Sequence, residues 1–500
     1  GDSHPGGDGA MSVIPFAEWR PDMPDLGQWA REALNVVPAE ESYRPLNSLN
    51  GTSNALNARA QGAAWFRGAG GATRMFAGDA TKLYLLSGTT WSDVSRTVGG
   101  PYGPGADGQW RFTQYGYNAF AVNGVDNPQK FDLASGTNWV LMGGSPPVGT
   151  YIATVRDFVV MGKIGATPQR VQWSPINSPE GTWGSIAATQ ADFQDLSDGG
   201  NVTGLVGGEF GIILQEAAVR RMTYEAPPIV FRIDKIANEL GCSVPGSVAS
   251  LLDLVFFVHK SGFYMVQGGQ TFTPIGRGKV DRTFWAEFDE TNLFRCSAAI
   301  DPVRSLYIFA YPANGNGGTP NRLLIYNWAT DKWTHAAVTC ELVFGGVSQQ
   351  SYTLEQLDAF NGGSTIDNLP YSLDSSFWSG TLSLLLYAFD TTHKSGSFSG
   401  SALEATVETA EFNPGQGTRS IVRSCRPLID GGSPMIKIGS RETQQGTSAY
   451  GPEVGLTPAG MAPVYQSGRY FRVRARMPAA SVWSNLQGID DLDVRASGGQ

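Results

Sequence analysis

The side chains that could do chemistry in this chain fall into a few small groups. Residues GPGADG (103–108) match the G-x-G-x-x-G pattern that cradles a pyrophosphate. That pattern works only between a strand and a helix, and here it follows Pro101 and Tyr102 in a turn-rich stretch, so a plain loop is expected. Residues GRGKV (276–280) end in Val280 where a phosphate loop needs a Ser or Thr hydroxyl for magnesium. Neither HExxH nor GxSxG occurs. Of four histidines, His4 lies at the start, and His259, His335 and His393 stand apart from one another. His259 closes the apolar run LVFFV and reads as a strand-end surface residue rather than a general base. Asp490, Asp491 and Asp493 lack the spacing and the glycine of a calcium loop and read as a solvated acidic strand end. Cys242, Cys296, Cys340 and Cys425 are widely separated with no CxxC, which gives neither a zinc module nor a disulfide framework. No metal or cofactor is therefore expected.

One charged group is periodic. In RYFRVRARM, Tyr470, Arg472, Arg474 and Arg476 share one face of a strand, and Phe471, Val473, Ala475 and Met477 share the other. With Arg419, Arg423 and Arg426 nearby in sequence, this ladder could touch phosphates. The chain as a whole argues against that, since 36 Lys and Arg face 45 Asp and Glu for a net charge of −9. Pairing with carboxylates of a neighbouring subunit, where ion pairs fix register and orientation, is the preferred expectation.

The elements behind these groups are short. With 63 glycines, 29 prolines, 11% aromatic and only 16% charged residues, the composition indicates many brief strands and tight turns, not long charged helices. No apolar run reaches the roughly 18 residues that span a bilayer, no secretory signal pattern is present, and the chain reads as soluble. A pattern recurs roughly every 40–60 residues. A Trp or Phe closes a short turn at Trp91, Trp139, Trp183, Phe231, Phe272 and Trp333. Another aromatic precedes each, at Tyr84, Phe131, Trp173, Tyr224, Tyr264 and Tyr326. Apolar runs such as DFVVMGK (157–163) and SLYIFAY (305–311) come before these. Earlier still lie strands rich in small residues, such as YIATV (151–155), VTGLV (202–206) and CSAAI (296–300).

Four strands per repeat, six times over, predict an all-β chain with a six-bladed β-propeller over 59–345. Small residues suit the crowded axis, apolar runs suit strands sandwiched between blades, and aromatics suit the wide rim. The competing reading is an irregular β-sandwich with coincidental aromatics. An enzyme of this shape would be a glycosidase of the sialidase type, marked by S-x-D-x-G-x-T-W turns. In SGTTW and SGTNW the Gly and Trp are present but the Asp is not, and Arg220, Arg221, Arg277 and Arg304 show no distinctive spacing, so no catalytic residue is assigned.

The flanks differ from the repeat. Residues 1–10 read as a cloning scar or an extended start. Residues 11–58 read as an N-terminal segment packing on a platform, with a short helix around Leu26–Leu34. The polar stretch 346–399 reads as a long excursion or partial blade, and 400–500 as a separate C-terminal β-sandwich or barrel platform domain.

The ends of the chain carry a resemblance in wording. FAEWRPDMPDLG…NVVPAEESYRPL (16–46) and AFDTTHKSGSFSGSALEATVETAEF (388–412), followed by SCRPLIDGG and SGRYFRVRARMPAASVW…GIDDLDV, resemble tail proteins of short-tailed bacteriophages. With the repeats between them, the chain is similar to the tail nozzle family, also called tail tubular protein B or tail hub, of podoviruses. The resemblance covers essentially all of Met11–Gln500 as an architecture.

That resemblance implies a structural virion protein rather than an enzyme. Six copies would form a homohexameric ring below the portal and a tail adaptor protein, extending the DNA ejection channel. Tail fibres or spikes would attach nearby, and the tip would contact the host envelope, in a virus tail assembled in the host cytoplasm. Ring contacts would fall on the terminal segments, including Trp19, Tyr43, Arg44 and Arg469–Met477 with Tyr470, Arg472, Arg474 and Arg476. DNA would pass without specific binding, which an acidic wall favours. The residue-level alternative remains a propeller binding module for a glycan or a protein.

Overall fold

The structure, a computed structural model, describes residues 13–24, 27–347, 384–415 and 417–496. The first ten residues and 348–383, which make up most of the expected excursion, lie outside the described residues.

Apolar runs of four to seven residues broken by tight turns fold here into successive four-stranded antiparallel sheets, each built in chain order. Six of them cover 62–93, 111–141, 149–195, 202–238, 249–274 and 297–336, and are called blades one to six. The chain is a β-propeller. All six expected repeats are present, and a seventh blade joins them. It pairs Leu342–Val347, Leu384–Phe389 and Lys394–Ser397 with Asn50–Ala55, a strand from far upstream. Its fourth strand is remote in sequence and its hairpin is interrupted, so it has no local four-strand pattern to read.

The first strand of each blade is innermost. The Thr113 and Thr154 hydroxyls meet at 3.0 Å between blades two and three, and Val155 bridges Gly208 beside blade four. Gly204 of blade four lies against Val248 at the start of blade five. Val343 donates its N–H to Ser297 Oγ between blades seven and six, and blade seven adjoins blade one, so the ring closes. Second strands are buried on both faces, with Val159, Val160, Met161, Phe256 and Phe257 fully inaccessible, which explains runs without alternation.

The blade-closing aromatics sit in or just before fourth strands. Trp91, Phe231, Phe272 and Trp333 lie within Thr90–Asp93, Val230–Asn238, Thr271–Pro274 and Lys332–Ala336. Trp139 immediately precedes Val140–Leu141, and Trp183 lies in the loop before Asp192–Asp195. Two of the indoles tie blades together. Trp91 donates to Ser395 Oγ of blade seven at 3.0 Å, and Trp333 donates to Ile275 O beside blade five at 2.8 Å.

The remaining strands form a sandwich. One sheet runs Val36–Pro38, Tyr43–Pro45, Trp483–Ala496, Ser420–Gly431 and Gln466–Gly468, with Ile14–Pro15 also on Trp483–Ala496. The facing sheet runs Glu32–Leu34, Ala405–Glu408, Tyr470–Met477, Met435–Arg441 and Ala449–Tyr450. This second sheet continues blade six directly, because Leu34 pairs in parallel with His335 on the blade's last strand. The sandwich is thus joined to the propeller by a shared sheet and a shared core, in which Phe263, Phe309 and Trp333 belong to the same cluster as Ile436, Val473 and Leu486. The expected helix around Leu26–Leu34 is absent from the described part of that segment. Glu32–Leu34 is a strand, because Ala405–Glu408 pairs with all three of its residues and Leu34 also meets His335 at the edge of blade six. Asn50–Ala55 belongs to the propeller and not to the platform.

A helix, Asp281–Glu287, wedges between blades five and six. Asp22 from the N-terminal segment caps it, accepting from the N–H groups of Arg282 and Thr283 at 2.7 and 2.8 Å. Asp281 accepts from the Phe263 N–H at 3.0 Å. Gly262, at φ +129°, lets the Asp281 carboxylate approach, since a Cβ there would lie 2.0 Å from Asp281 Oδ2. Burial, with Asp22 adding to it, pushes the Asp281 carboxyl up to about 6.

Two outcomes follow from this architecture. A Cβ at Gly396 would fall 1.6 Å from the Asn50 carbonyl oxygen, so Gly396→Val should separate the upstream strand from blade seven. The expected loss is about 1–3 kcal/mol in urea unfolding, with no change if the ring does not depend on that pairing. For Asp281, the folded state holds the proton more tightly than the unfolded chain. Its contribution to stability therefore declines as pH rises from about 4 to about 6 and is flat above. Asp281→Asn should remove that slope and be more stable than wild type at pH 7, measured as the difference in urea midpoint across pH 4–7.

Candidate functional site

The arginine strand has the expected alternation: Phe471, Val473, Ala475 and Met477 are fully buried, and the intervening residues are partly exposed. The partners of the arginines are in the same chain. Ala405–Glu408 pairs beside Tyr470–Met477 and aligns Glu408 with Arg474. Glu408, only 2% exposed, accepts from Arg474 at 2.6 Å through one oxygen and from the Tyr450 hydroxyl through the other. Glu411 takes Arg441 at 2.6 Å and Arg472 at 3.5 Å. Arg476 holds Glu453 bidentately, at 3.0 and 2.6 Å, and reaches Glu404 at 2.9 Å. The hydrogen bond to Glu453 raises Arg476 above its ordinary pKa and lowers Glu453 below the usual carboxylate range. The ladder was expected to pair with carboxylates of another subunit, and within the chain Arg472, Arg474 and Arg476 already have carboxylate partners. Its carboxylates come from the neighbouring strand and the segments around it.

The other expected contact residues divide. Trp19 is 4% exposed and stacks on the His335 ring at 4.5 Å, and Tyr43 is buried with its hydroxyl donating to Ala17 O at 2.7 Å. Both are core residues of the junction, not free surface. Beside them Glu32 pairs with His335. Burial pushes the Glu32 carboxyl up, but the hydrogen bond and charge of His335 outweigh it and hold the group below its ordinary value. Arg44, Arg469 and Tyr470 keep part of their surface. Arg44 is exposed beside Asn485, and Arg469 reaches Gly417 O at 3.2 Å.

The propeller axis holds a second candidate that the sequence reading missed. At the end where the inner strands begin, Gln109 donates to Phe294 O and Arg295 pairs with Asp107 at 3.3 Å, linking the entry to blade two with the entry to blade six. Next to this closure lies a cavity of about 350 Å³ shared by blades two to five. Its polar lining includes Arg111, Thr113, Tyr151 and Thr154, and its apolar lining includes Phe112, Ile152, Leu205 and Val248. The Arg111 guanidinium is turned by a hydrogen bond to Gln109 Oε1. Burial lowers its pKa, with smaller opposing effects from Tyr151 and Cys242 and none from a carboxylate. The available signal was Arg111 itself, a charged residue opening a strand of the small-residue inner ring.

No family model and no curated protein sequence matches the chain. Solved structures similar to it include "YCF48 bound to D1 peptide", at 10% identity and TM-score 0.35 over 63% of this chain and 87% of that one. BamB from Moraxella catarrhalis matches at 9% and 0.34 over 73% and 92%. The computationally designed Ika8 protein matches at 9% and 0.35 over 71% and 99%. These similarities are weak, and the propeller assignment rests on the chain's own strand order and closed ring.

The remaining chemical groups are structural in their settings. His259 Nδ1 meets Ser261 Oγ at 2.8 Å in a hairpin turn, and His393 meets Glu341 at 2.7 Å. GPGADG is a loop whose Gly105 carbonyl accepts from Gln61 at 2.6 Å. Asp491 and Asp493 sit near Arg426 and Arg423 at 3.3 and 3.8 Å, and Asp490 pairs opposite Arg426 in the sheet. All four cysteines are buried and free, and burial pushes Cys242, Cys340 and Cys425 up to about 12, far from a reactive thiolate.

Because Glu408 and Glu411 are buried, removing their arginines leaves uncompensated charge in the sandwich. Arg474→Met should cost about 3–5 kcal/mol. The double variant Arg472→Glu and Arg474→Glu should unfold the sandwich itself. A urea titration followed by tryptophan fluorescence checks both, and an unshifted midpoint would show that the pairs are dispensable.

Proposed function

We propose that this chain is a non-catalytic interaction protein, a propeller that binds a protein or glycan partner while held rigidly on a β-sandwich platform. The observation that carries this reading is the sheet running from blade six through Glu32–Leu34 into Ala405–Glu408 and Tyr470–Met477. A shared sheet and core fix the orientation of the propeller face against the platform, which suits presentation of a binding surface.

A second, finer reading is favoured by where the platform strands come from. Both terminal segments, 14–45 and 405–496, supply them, as the resemblance to podovirus tail nozzles implies for a platform around a channel. In that reading six copies form the nozzle ring of a short tail, with the adaptor, fibres or spikes and the host envelope as partners. Arg44, Arg469 and Tyr470 are the residues of the original set whose surface still suits subunit contact, and Val482, 89% exposed, and Tyr465, 66% exposed, are apolar additions on the platform. A closed ring needs two different complementary patches per chain.

Negative-stain microscopy of the purified full chain separates the two readings. Sixfold rings are the expected result for the nozzle, and particles that stay single at high concentration overturn it while leaving the binding module standing. Hydrolysis of a fluorogenic glycoside, abolished by one carboxylate substitution, would overturn both.

A further inference from the structure

The axial cavity combines three features that structural packing alone does not require. Arg111 projects a guanidinium into a partly desolvated space with no carboxylate among the described residues at ion-pair distance. Removing a charge from water without a counter-charge is costly, and interior arginines elsewhere in this chain, Arg220 and Arg441, are paired with Asp198 and Glu411. Tyr151, 6% exposed, lines the same cavity within electrostatic reach of Arg111, and its hydroxyl has no hydrogen-bond partner among the described residues. The guanidinium is also held in place, since Gln109 accepts from it while donating across the axis to Phe294 O.

We propose that this cavity is a binding site for a carboxylate carried on an apolar body. Arg111 supplies the charge-assisted hydrogen bonds and Tyr151 donates its hydroxyl to the same group. The Thr113 and Thr154 hydroxyls are engaged with each other and with Gln114 O, so they shape the wall and do not compete for the anion. One guanidinium and one neutral donor suit a single negative charge, whereas a phosphate dianion calls for more cations. Phe112, Ile152, Leu205 and Val248 would cover the apolar part. The volume of about 350 Å³ lies at the small end of the roughly 300–1,000 Å³ of ligand pockets. The carboxylate can belong to a free organic acid or to a glutamate side chain of a bound peptide, and both present the same group. The inference rests on the binding-module reading and gives it a ligand chemistry, and it is independent of ring assembly.

Isothermal titration calorimetry on the full chain tests it, with phenylacetate, its uncharged analogue phenylacetamide, and the blocked peptide acetyl-Ala-Glu-Ala-amide as probes. At least one of the two acids should bind, and phenylacetate, where it binds, should do so roughly tenfold or more tightly than the amide, as loss of one charge-assisted hydrogen bond predicts. Binding of phenylacetate alone identifies a small acid as the source, and binding of the peptide alone identifies an acidic side chain. Arg111→Met should abolish the binding while the chain stays folded, because the variant removes a partly desolvated charge that has no carboxylate partner among the described residues. Should that variant fail to fold, Tyr151→Phe carries the test, with an expected weakening of roughly two- to tenfold. No binding of either acid, equal affinity for acid and amide, or unchanged affinity in both variants would overturn the proposal. Those results would leave the wider reading intact if a partner binds elsewhere on the propeller.

Discussion

A strand at the edge of a sheet exposes a row of unpaired amides and carbonyls, and a propeller blade has such an edge at its rim. At blade six the edge strand Lys332–Ala336 meets Glu32–Leu34 through the Leu34–His335 pair, and much of the remaining structure depends on that junction. It turns an N-terminal segment into a strand and gives Ala405–Glu408 a partner. It also sets Tyr470–Met477 at a fixed distance from the propeller and brings Trp19 onto His335. The polar atoms at the seam are satisfied in the same step. Thr334 donates to Val36 O at 2.7 Å, Asn327 to Pro38 O at 3.0 Å, and Asn35 accepts from the Ala337 N–H at 2.9 Å. Cutting this seam would expose an edge on each side as well as the aromatic cluster beneath it.

The electrostatics of the sandwich follow from the same register. Placing Ala405–Glu408 between Glu32–Leu34 and the arginine strand sets Glu408 opposite both Glu32 and Arg474. Two carboxylates side by side would repel, yet each has its own partner, the His335 ring for Glu32 and the Arg474 guanidinium for Glu408. The arginine face is therefore one layer of an internal network, neutralised carboxylate by carboxylate. Little of it remains to attract phosphate, in keeping with the acidic balance of the chain.

Features with a local cause could be read from the sequence. Six blades were legible because each is one continuous stretch whose hairpins place a rim aromatic after an apolar run, as Phe231 follows Tyr224 and Trp333 follows Tyr326. The faces of Tyr470–Met477 were legible because strand alternation is strictly twofold. Features set by remote pairing were hidden. Nothing near Asn50–Ala55 announces that its partner is Lys394–Ser397, and nothing near Glu32–Leu34 announces blade six, so that stretch read as a helix. The buried state of Trp19 and Tyr43 and the internal partners of Arg472 and Arg474 depend on those same pairings. The axial cavity was hidden for a related reason, since Arg111, Tyr151, Leu205 and Val248 meet only when four blades are arranged about one axis.

The way the seventh blade is completed also sets an order of events during synthesis. Asn50–Ala55 leaves the ribosome early, but its partner Lys394–Ser397 is made more than three hundred residues later. At the roughly 5–20 residues per second of translation, the early strand waits on the order of 20–70 s as an unpaired segment. The blades between can form one after another in that interval, each from its own hairpins, while the ring stays open. Circular closure, and with it the inner wall around the axis, becomes possible only as the last fifth of the chain emerges.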